Sequence, residues 1–69
     1  METKHSLPLA AMEKLMKDIG ADRVSEDAKA ELRDVLEEIA AEISQNALKL
    51  AQHAGRKTIK GSDIKLAAK

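Results

Sequence analysis

The 69-residue sequence has no cysteine and no aromatic residue, a single proline and three glycines. Without cysteine there is neither a disulfide to staple a small domain nor a thiolate for a structural zinc site. The two histidines, His5 and His53, stand far apart in the chain, which argues against a histidine-based metal cluster within one copy, so no metal or cofactor is expected. The hydrophobic inventory is light: 43% of residues, but twelve are Ala and one is Met1, leaving eight Leu, five Ile, two Val, Met12 and Met16. A chain this short buries only about 60% of its unfolded surface, so a private core is marginal, and oligomerisation is the remaining route to stability. No apolar run approaches the roughly 20 residues that span a bilayer. Met1-Glu2-Thr3-Lys4-His5 has no apolar core behind it and does not read as a signal peptide. A soluble, cytoplasmic chain with no membrane partner is expected. An excess of charge of either sign is also missing, since 12 basic residues balance 12 acidic ones, and bulk charge points to no polyanion.

What is present favours helices. Ala, Leu, Glu and Lys dominate, and β-branched residues are few, so the fold class is all-α. Residues 1–6 are polar and read as a flexible N-terminus ahead of one domain over 7–69. Pro8 suits a first helical turn, and Leu9, Met12, Leu15, Met16 and Ile19 follow 3–4 spacing up to Gly20, a good residue just past a helix end. The first helix is placed at about 8–19. Ser25 reads as an N-cap, with Glu26 and Asp27 in the first turn where the helix dipole favours acids. No glycine or proline then interrupts the chain until Gly55, giving a second helix at about 26–54. Gly61-Ser62-Asp63 opens a third, at about 61–68, and the order is short, long, short.

The long helix carries the first functional inference. Its apolar stripe is Leu32, Leu36, Ile39, Ile43, Ala47, Leu50 and Ala54, widened by Val35, Ala40 and Ala51. The mean spacing is about 3.7 residues, the period of a straight helix and not of a left-handed coiled coil. At 1.5 Å per residue the helix is roughly 43 Å long, whereas a compact globule of this size is roughly 28 Å across. The stripe therefore overhangs any monomeric globule, and a second copy of the chain is the economical cover.

Charge, balanced overall, is segregated along the chain. Residues 25–54 carry seven acids against three bases, and residues 55–69 carry five bases against one acid. Glu37, Glu42, Lys29 and Lys49 read as solvated helix-face charges. Arg23 and the segment Arg56-Lys57-Thr58-Ile59-Lys60 sit instead in loops beside helix ends, where side-chain cations and backbone N–H groups together suit phosphate oxygens. His53, at the end of the long helix, reads on its own as a cap favoured by the dipole.

Taken together, Ala21-Asp22-Arg23-Val24-Ser25-Glu26-Asp27-Ala28, His53-Ala54-Gly55-Arg56-Lys57-Thr58-Ile59-Lys60 and Asp63-Ile64-Lys65-Leu66-Ala67 resemble the archaeal histones, as does Leu7-Pro8-Leu9-Ala10. The resemblance runs over about 7–69 and is to the tail-less, nucleosomal or hypernucleosome-forming type. It implies a histone fold in which two chains clasp head to tail as an intertwined, obligate homodimer. Their long helices cross, and the first loop of one chain lies beside the second loop of the other. It further implies non-sequence-specific binding and wrapping of double-stranded DNA into nucleosome-like or extended superhelical chromatin, and a place on the chromosome or nucleoid. The residues implied in DNA binding are Lys14, Lys17, Arg23, Lys57, Thr58 and Lys60. Arg56 and Asp63 match an ion pair that shapes the second loop. Leu50, His53, Asp63 and Leu66 match a contact between dimers, where a His53–Asp63 pair would strengthen as the imidazole gains a proton, so dimers are expected to polymerise on DNA. Gly20, Asp34, Glu38, Lys65 and Lys69 are the candidates for contacts between stacked superhelical turns.

The sequence also departs from its family: Glu13 places an acid beside Lys14, close to the expected DNA path, and Ala41 and Gln52 stand where a base is common. No nucleophile has a base partner at recognisable spacing and no glycine-rich phosphate cradle is present, so no enzymatic activity is expected. Two alternatives share the fold: a histone that bridges duplexes without wrapping them, and a histone-fold module that pairs with a paralogue inside a transcription-related assembly.

Overall fold

The computed structural model describes residues 6–69, which form three α-helices: α1 (Leu9–Asp18), α2 (Glu26–His53) and α3 (Gly61–Ala67). No strand occurs among the described residues. Every helix boundary lies within one residue of the sequence expectation, because capping chemistry fixes the ends. Pro8 differs slightly from its expected place. It is the N-cap itself, with an extended ψ of 144°, and its carbonyl accepts the Ala11 N–H, so Leu9 is the first helical residue.

The first two helices stop by the same device. After α1, Gly20 adopts φ 114°, its N–H bonds to the Lys17 carbonyl, and the Ala21 N–H reaches back to Met16. After α2, Gly55 adopts φ 74°, its N–H bonds to Gln52, and the Arg56 N–H reaches back to Ala51. Each is a Schellman motif, in which a left-handed residue turns the chain so that two N–H groups satisfy carbonyls at the helix end. A side chain is disfavoured there by its own backbone, not by neighbours, since a Cβ at either glycine would meet nothing within 4 Å. At the start of α2 the Ser25 Oγ accepts the Ala28 N–H at 3.2 Å and its hydroxyl donates to Asp27, which makes Ser25 the N-cap.

The chain divides into two compact units, Met1–Glu38 and Ile39–Lys69, with the division inside α2. In the first unit, among described residues, α1 accompanies the opening turns of α2; Met12 is buried, whereas Leu15, Ile19 and Val35 are exposed. In the second, α3 accompanies the closing turns of α2; Ala47 and Ala51 are buried, and Ile39, Leu48, Ile59, Ile64 and Leu66 are exposed. No large side chain among the described residues is fully buried in either. The expected stripe is therefore covered only in part by its own chain. Ala47 lies inside, but Ile39 is 48% exposed and Ala54 is open, while Ala51, read as a flank, is fully covered. The short Ala47 and Ala51 mark where an adjoining segment approaches α2 closely, whereas Leu32, Leu36, Ile43 and Leu50 are half-buried.

Of the N-terminal segment 1–6, residues 1–5, with His5, lie outside the described residues. Ser6 and Leu7 each donate a backbone N–H to Glu37 Oε2, at 2.7 and 2.9 Å. Glu37 is thus not a solvated face charge. It is an acceptor for the stretch of chain leading into α1, where the backbone has no helical partner of its own. Among the described residues, no helix is long and apolar enough to cross a membrane.

Candidate nucleic-acid interface

The first cluster of interest lies in the turn between α1 and α2. Gly20 reverses the chain, Ser25 caps α2, and Arg23 stands two residues ahead of that cap with its side chain exposed. The described residues offer its guanidinium no hydrogen bond or ion pair, so its five donors face solvent. The nearest charged neighbours in sequence, Asp22 and Glu26, are likewise exposed.

On α1 the two implied DNA-binding lysines already have acidic partners. Lys14 Nζ lies 2.9 Å from Asp18 Oδ2, and Lys17 Nζ lies 3.1 Å from Glu13 Oε2. Glu13 has a second partner in Lys29, at 3.3 Å, and Lys29 lies 2.7 Å from Glu26. The Glu13 carboxyl is held below the usual carboxylate range by Lys17 and then Lys29. Lys29 is correspondingly pushed up, mainly by its hydrogen bond to Glu26. Its side chain is only 12% exposed, which corrects the reading of Lys29 as a solvated charge. The i,i+4 spacing of Glu13 and Lys17 was open to inspection in the sequence, but the bond to Lys29 depends on how α1 lies against α2 within this unit.

The second loop is built around one arginine. Arg56, fixed by its backbone bond at the end of α2, sends Nη1 to Asp63 Oδ2 at 2.9 Å and Nη2 to Asp63 Oδ1 at 3.0 Å. Nη1 also donates to the Thr58 carbonyl at 2.9 Å, and Asp63 Oδ2 accepts the Lys60 N–H at 2.8 Å. Asp63 is thereby both half of a bidentate ion pair and the third residue of α3, accepting the N–H of the N-cap residue Lys60. Residues 57–60 close around this clamp, and Lys57, Thr58 and Lys60 are left exposed. Arg56 is the one base of the segment that is consumed internally.

This clamp has a defined acid sensitivity. The Arg56 guanidinium, followed by the Lys60 N–H, lowers the Asp63 carboxyl to about 2 from its ordinary 3.8. A carboxyl depressed by folding binds fewer protons in the native state, so its stabilisation is complete above the ordinary value and disappears as pH falls through the native one. Asp63→Asn is therefore expected to lower the melting temperature at neutral pH, with the gap to the native sequence closing between about pH 4 and pH 2. Thermal melts of both proteins across that range provide the check, and a gap independent of pH would mean that the carboxylate charge is not what holds the loop.

The remaining candidates are scattered. His53 ends α2 and is exposed, Leu50 is half-buried, Leu66 is exposed, and Asp63 is buried with both oxygens engaged by Arg56. Asp34 accepts a bond from Arg33 Nε at 3.1 Å. Glu38, Lys65 and Lys69 are exposed. Among the described residues no group of three or more His, Asp or Glu could hold a metal ion.

Residues 5–68 match the family described as histone-like transcription factor (CBF/NF-Y) and archaeal histone. The chain is 49% identical over 63 residues to one of the subunits of archaeal histone HAN1 from Thermococcus zilligii, covering 91% of this chain and 94% of that protein. It is 48% identical over 61 residues to probable archaeal histone 3 of Methanocaldococcus jannaschii, covering 88% and 91% respectively.

Proposed function

The chain belongs to the family of histone-like transcription factors and archaeal histones, with a histone fold of short, long and short helices, and from that premise we propose that it is a DNA-binding histone. It acts as a homodimer that wraps and compacts double-stranded DNA without catalysis, and its dimers polymerise along the duplex as part of the chromosome. Membership in this family supports chromosome association and DNA binding in general; the dimer and the wrapping are the finer reading.

The observation that carries that reading is the separation of two kinds of base. Arg56 is spent on the loop, whereas Arg23, Lys57 and Lys60 are exposed in loops beside capped helix starts. In a head-to-tail dimer the Arg23 turn of one protomer lies beside the 57–60 loop of its partner, forming a paired site at each end for one stretch of phosphate backbone. Arg23 there enters an inward-facing minor groove, a contact that needs groove width and no base identity. Lys57, Thr58 and Lys60, with Lys14 and Lys17 of α1, take the flanking phosphates. The uncovered aliphatics of α2 supply the dimer interface. Leu50, His53 and Leu66, with Asp63, form the contact from dimer to dimer, and Gly20, Asp34, Glu38, Lys65 and Lys69 lie between stacked turns.

A paralogue as the second protomer is favoured by one observation, that the Thermococcus zilligii relative is itself named as one of a set of subunits. It changes the partner and not the DNA contacts. Titration of duplex DNA at a series of salt concentrations tests the proposal. The logarithm of the binding constant should fall linearly with that of salt, at about −0.9 per phosphate neutralised, and alike on unrelated sequences. Binding that is insensitive to salt, or confined to one sequence, would remove the phosphate-wrapping reading.

A further inference from the structure

The two lysine–carboxylate pairs of α1 look alike in sequence and differ in physics. Lys14–Asp18 runs from base to acid along the helix, puts the acid at the negative end of the dipole, and is largely exposed, at 75% and 59%. Such a pair opens readily and leaves Lys14 to other partners. Glu13–Lys17 has the favourable order, acid before base, with Lys17 in the last turn. Glu13 is further restrained from the α2 side by Lys29, whose ammonium it shares with Glu26. The result is a carboxylate held in place beside an ammonium that is itself 48% exposed. Lys17, Glu13, Lys29 and Glu26 together carry no net charge.

We propose that Glu13 is a tethered competitor for phosphate at Lys17 and sets the DNA affinity of the α1 surface. The inference rests on the DNA-binding reading above and adds to it the residue that limits binding strength. A phosphate reaching Lys17 must displace Glu13 and then tolerate that carboxylate nearby. What leaves Lys17 is an internal carboxylate, and the exchange is partly self-contained, so Lys17 adds little to the salt dependence. The same carboxylate is not required to satisfy Lys29, which keeps Glu26 at 2.7 Å. Removing the charge of Glu13 therefore exposes one cation per protomer, and two per dimer, without stranding another.

Duplex DNA binding of the intact protein is measured over a salt series for the native sequence, Glu13→Gln, Lys17→Gln and the double variant. Glu13→Gln is expected to bind about fourfold tighter per dimer at low ionic strength, from roughly twofold for each i,i+4 pair released. The advantage shrinks as salt screens it, and the slope steepens by up to about 0.9 per protomer. Lys17→Gln costs more in the Glu13→Gln background than in the native one. If Glu13→Gln fails to fold, judged by helical signal, Lys17→Gln alone still decides: it must flatten the slope by clearly less than about 0.9 per protomer. The proposal is overturned by folded Glu13→Gln that binds no tighter, by a gain that survives loss of Lys17, or by a full slope loss in Lys17→Gln alone. A native protein that binds no DNA would overturn the functional reading itself.

Discussion

Ile39→Glu is expected to leave the chain unfolded and monomeric at micromolar concentration, where the native sequence is expected to form a helical dimer. Ile39 is 48% exposed in the single chain, and Val35, one turn earlier on α2, is also exposed. Covering the exposed half of this isoleucine contributes on the order of 1 kcal/mol, and two-fold symmetry counts the contribution twice. A carboxylate placed there adds a desolvation cost of several kcal/mol per copy. Small domains of this size have only about 3–5 kcal/mol to lose, so one substitution exceeds the margin. Helical circular dichroism and sedimentation at several concentrations make the check, with the native midpoint rising with concentration as linkage requires. An Ile39→Glu chain that keeps its helices and its midpoint would show that the single chain is self-sufficient.

Arg23→Ala is expected to leave that dimer intact and weaken duplex binding by on the order of tenfold, with the salt slope reduced by about one per protomer. The contrast follows from its surroundings. Arg23 is exposed and has no bond among the described residues, so its loss removes nothing from the fold. Arg56→Ala inverts the pattern: the Thr58 carbonyl and the buried Asp63 lose their common partner, and stability falls first. Binding assays paired with thermal melts separate the two roles. Arg23→Ala with a lowered melting temperature and unchanged DNA affinity would move Arg23 to the structural side.

The parts of this molecule that were readable from sequence are those governed by local chemistry. Gly20, Ser25 and Gly55 mark helix ends because their φ or hydroxyl chemistry is needed there whatever surrounds them. The length of α2 was legible for the same reason, and set against the expected size of the globule it motivates the proposed second chain. Interactions between distant segments were not readable in this way. Glu37 lies among several acids on α2, and nothing in its spacing announces that Ser6 and Leu7 will hang from it. Lys29 reads as a surface base until α1 brings Glu13 beside it. The Arg56–Asp63 pairing came from family resemblance, because seven residues across a loop fix no geometry on their own. Burial was the least legible property. A helical stripe names the apolar face, but which of its members are covered depends on where other segments of the same chain approach α2, and Ala51 is inside while Ile39 is not.

The balanced charge, which counts against a DNA-binding protein when summed over the chain, has a structural explanation. Acids are spent on specific bases, Asp63 on Arg56, Glu13 on Lys17 and Lys29, and Asp18 on Lys14, while the loop cations Arg23, Lys57 and Lys60 stay exposed. Modest affinity per dimer, with stable packaging reached by contacts between dimers, is the behaviour such a distribution supports.

Micrococcal nuclease digestion of complexes reconstituted on long duplex DNA tests wrapping by polymerising dimers most directly. The account predicts a ladder of protected fragments whose lengths grow by a constant increment as dimers are added. Protected DNA that shows no regular increment, or no protection at saturating protein, would contradict it and favour a protein that bridges duplexes or pairs within another assembly.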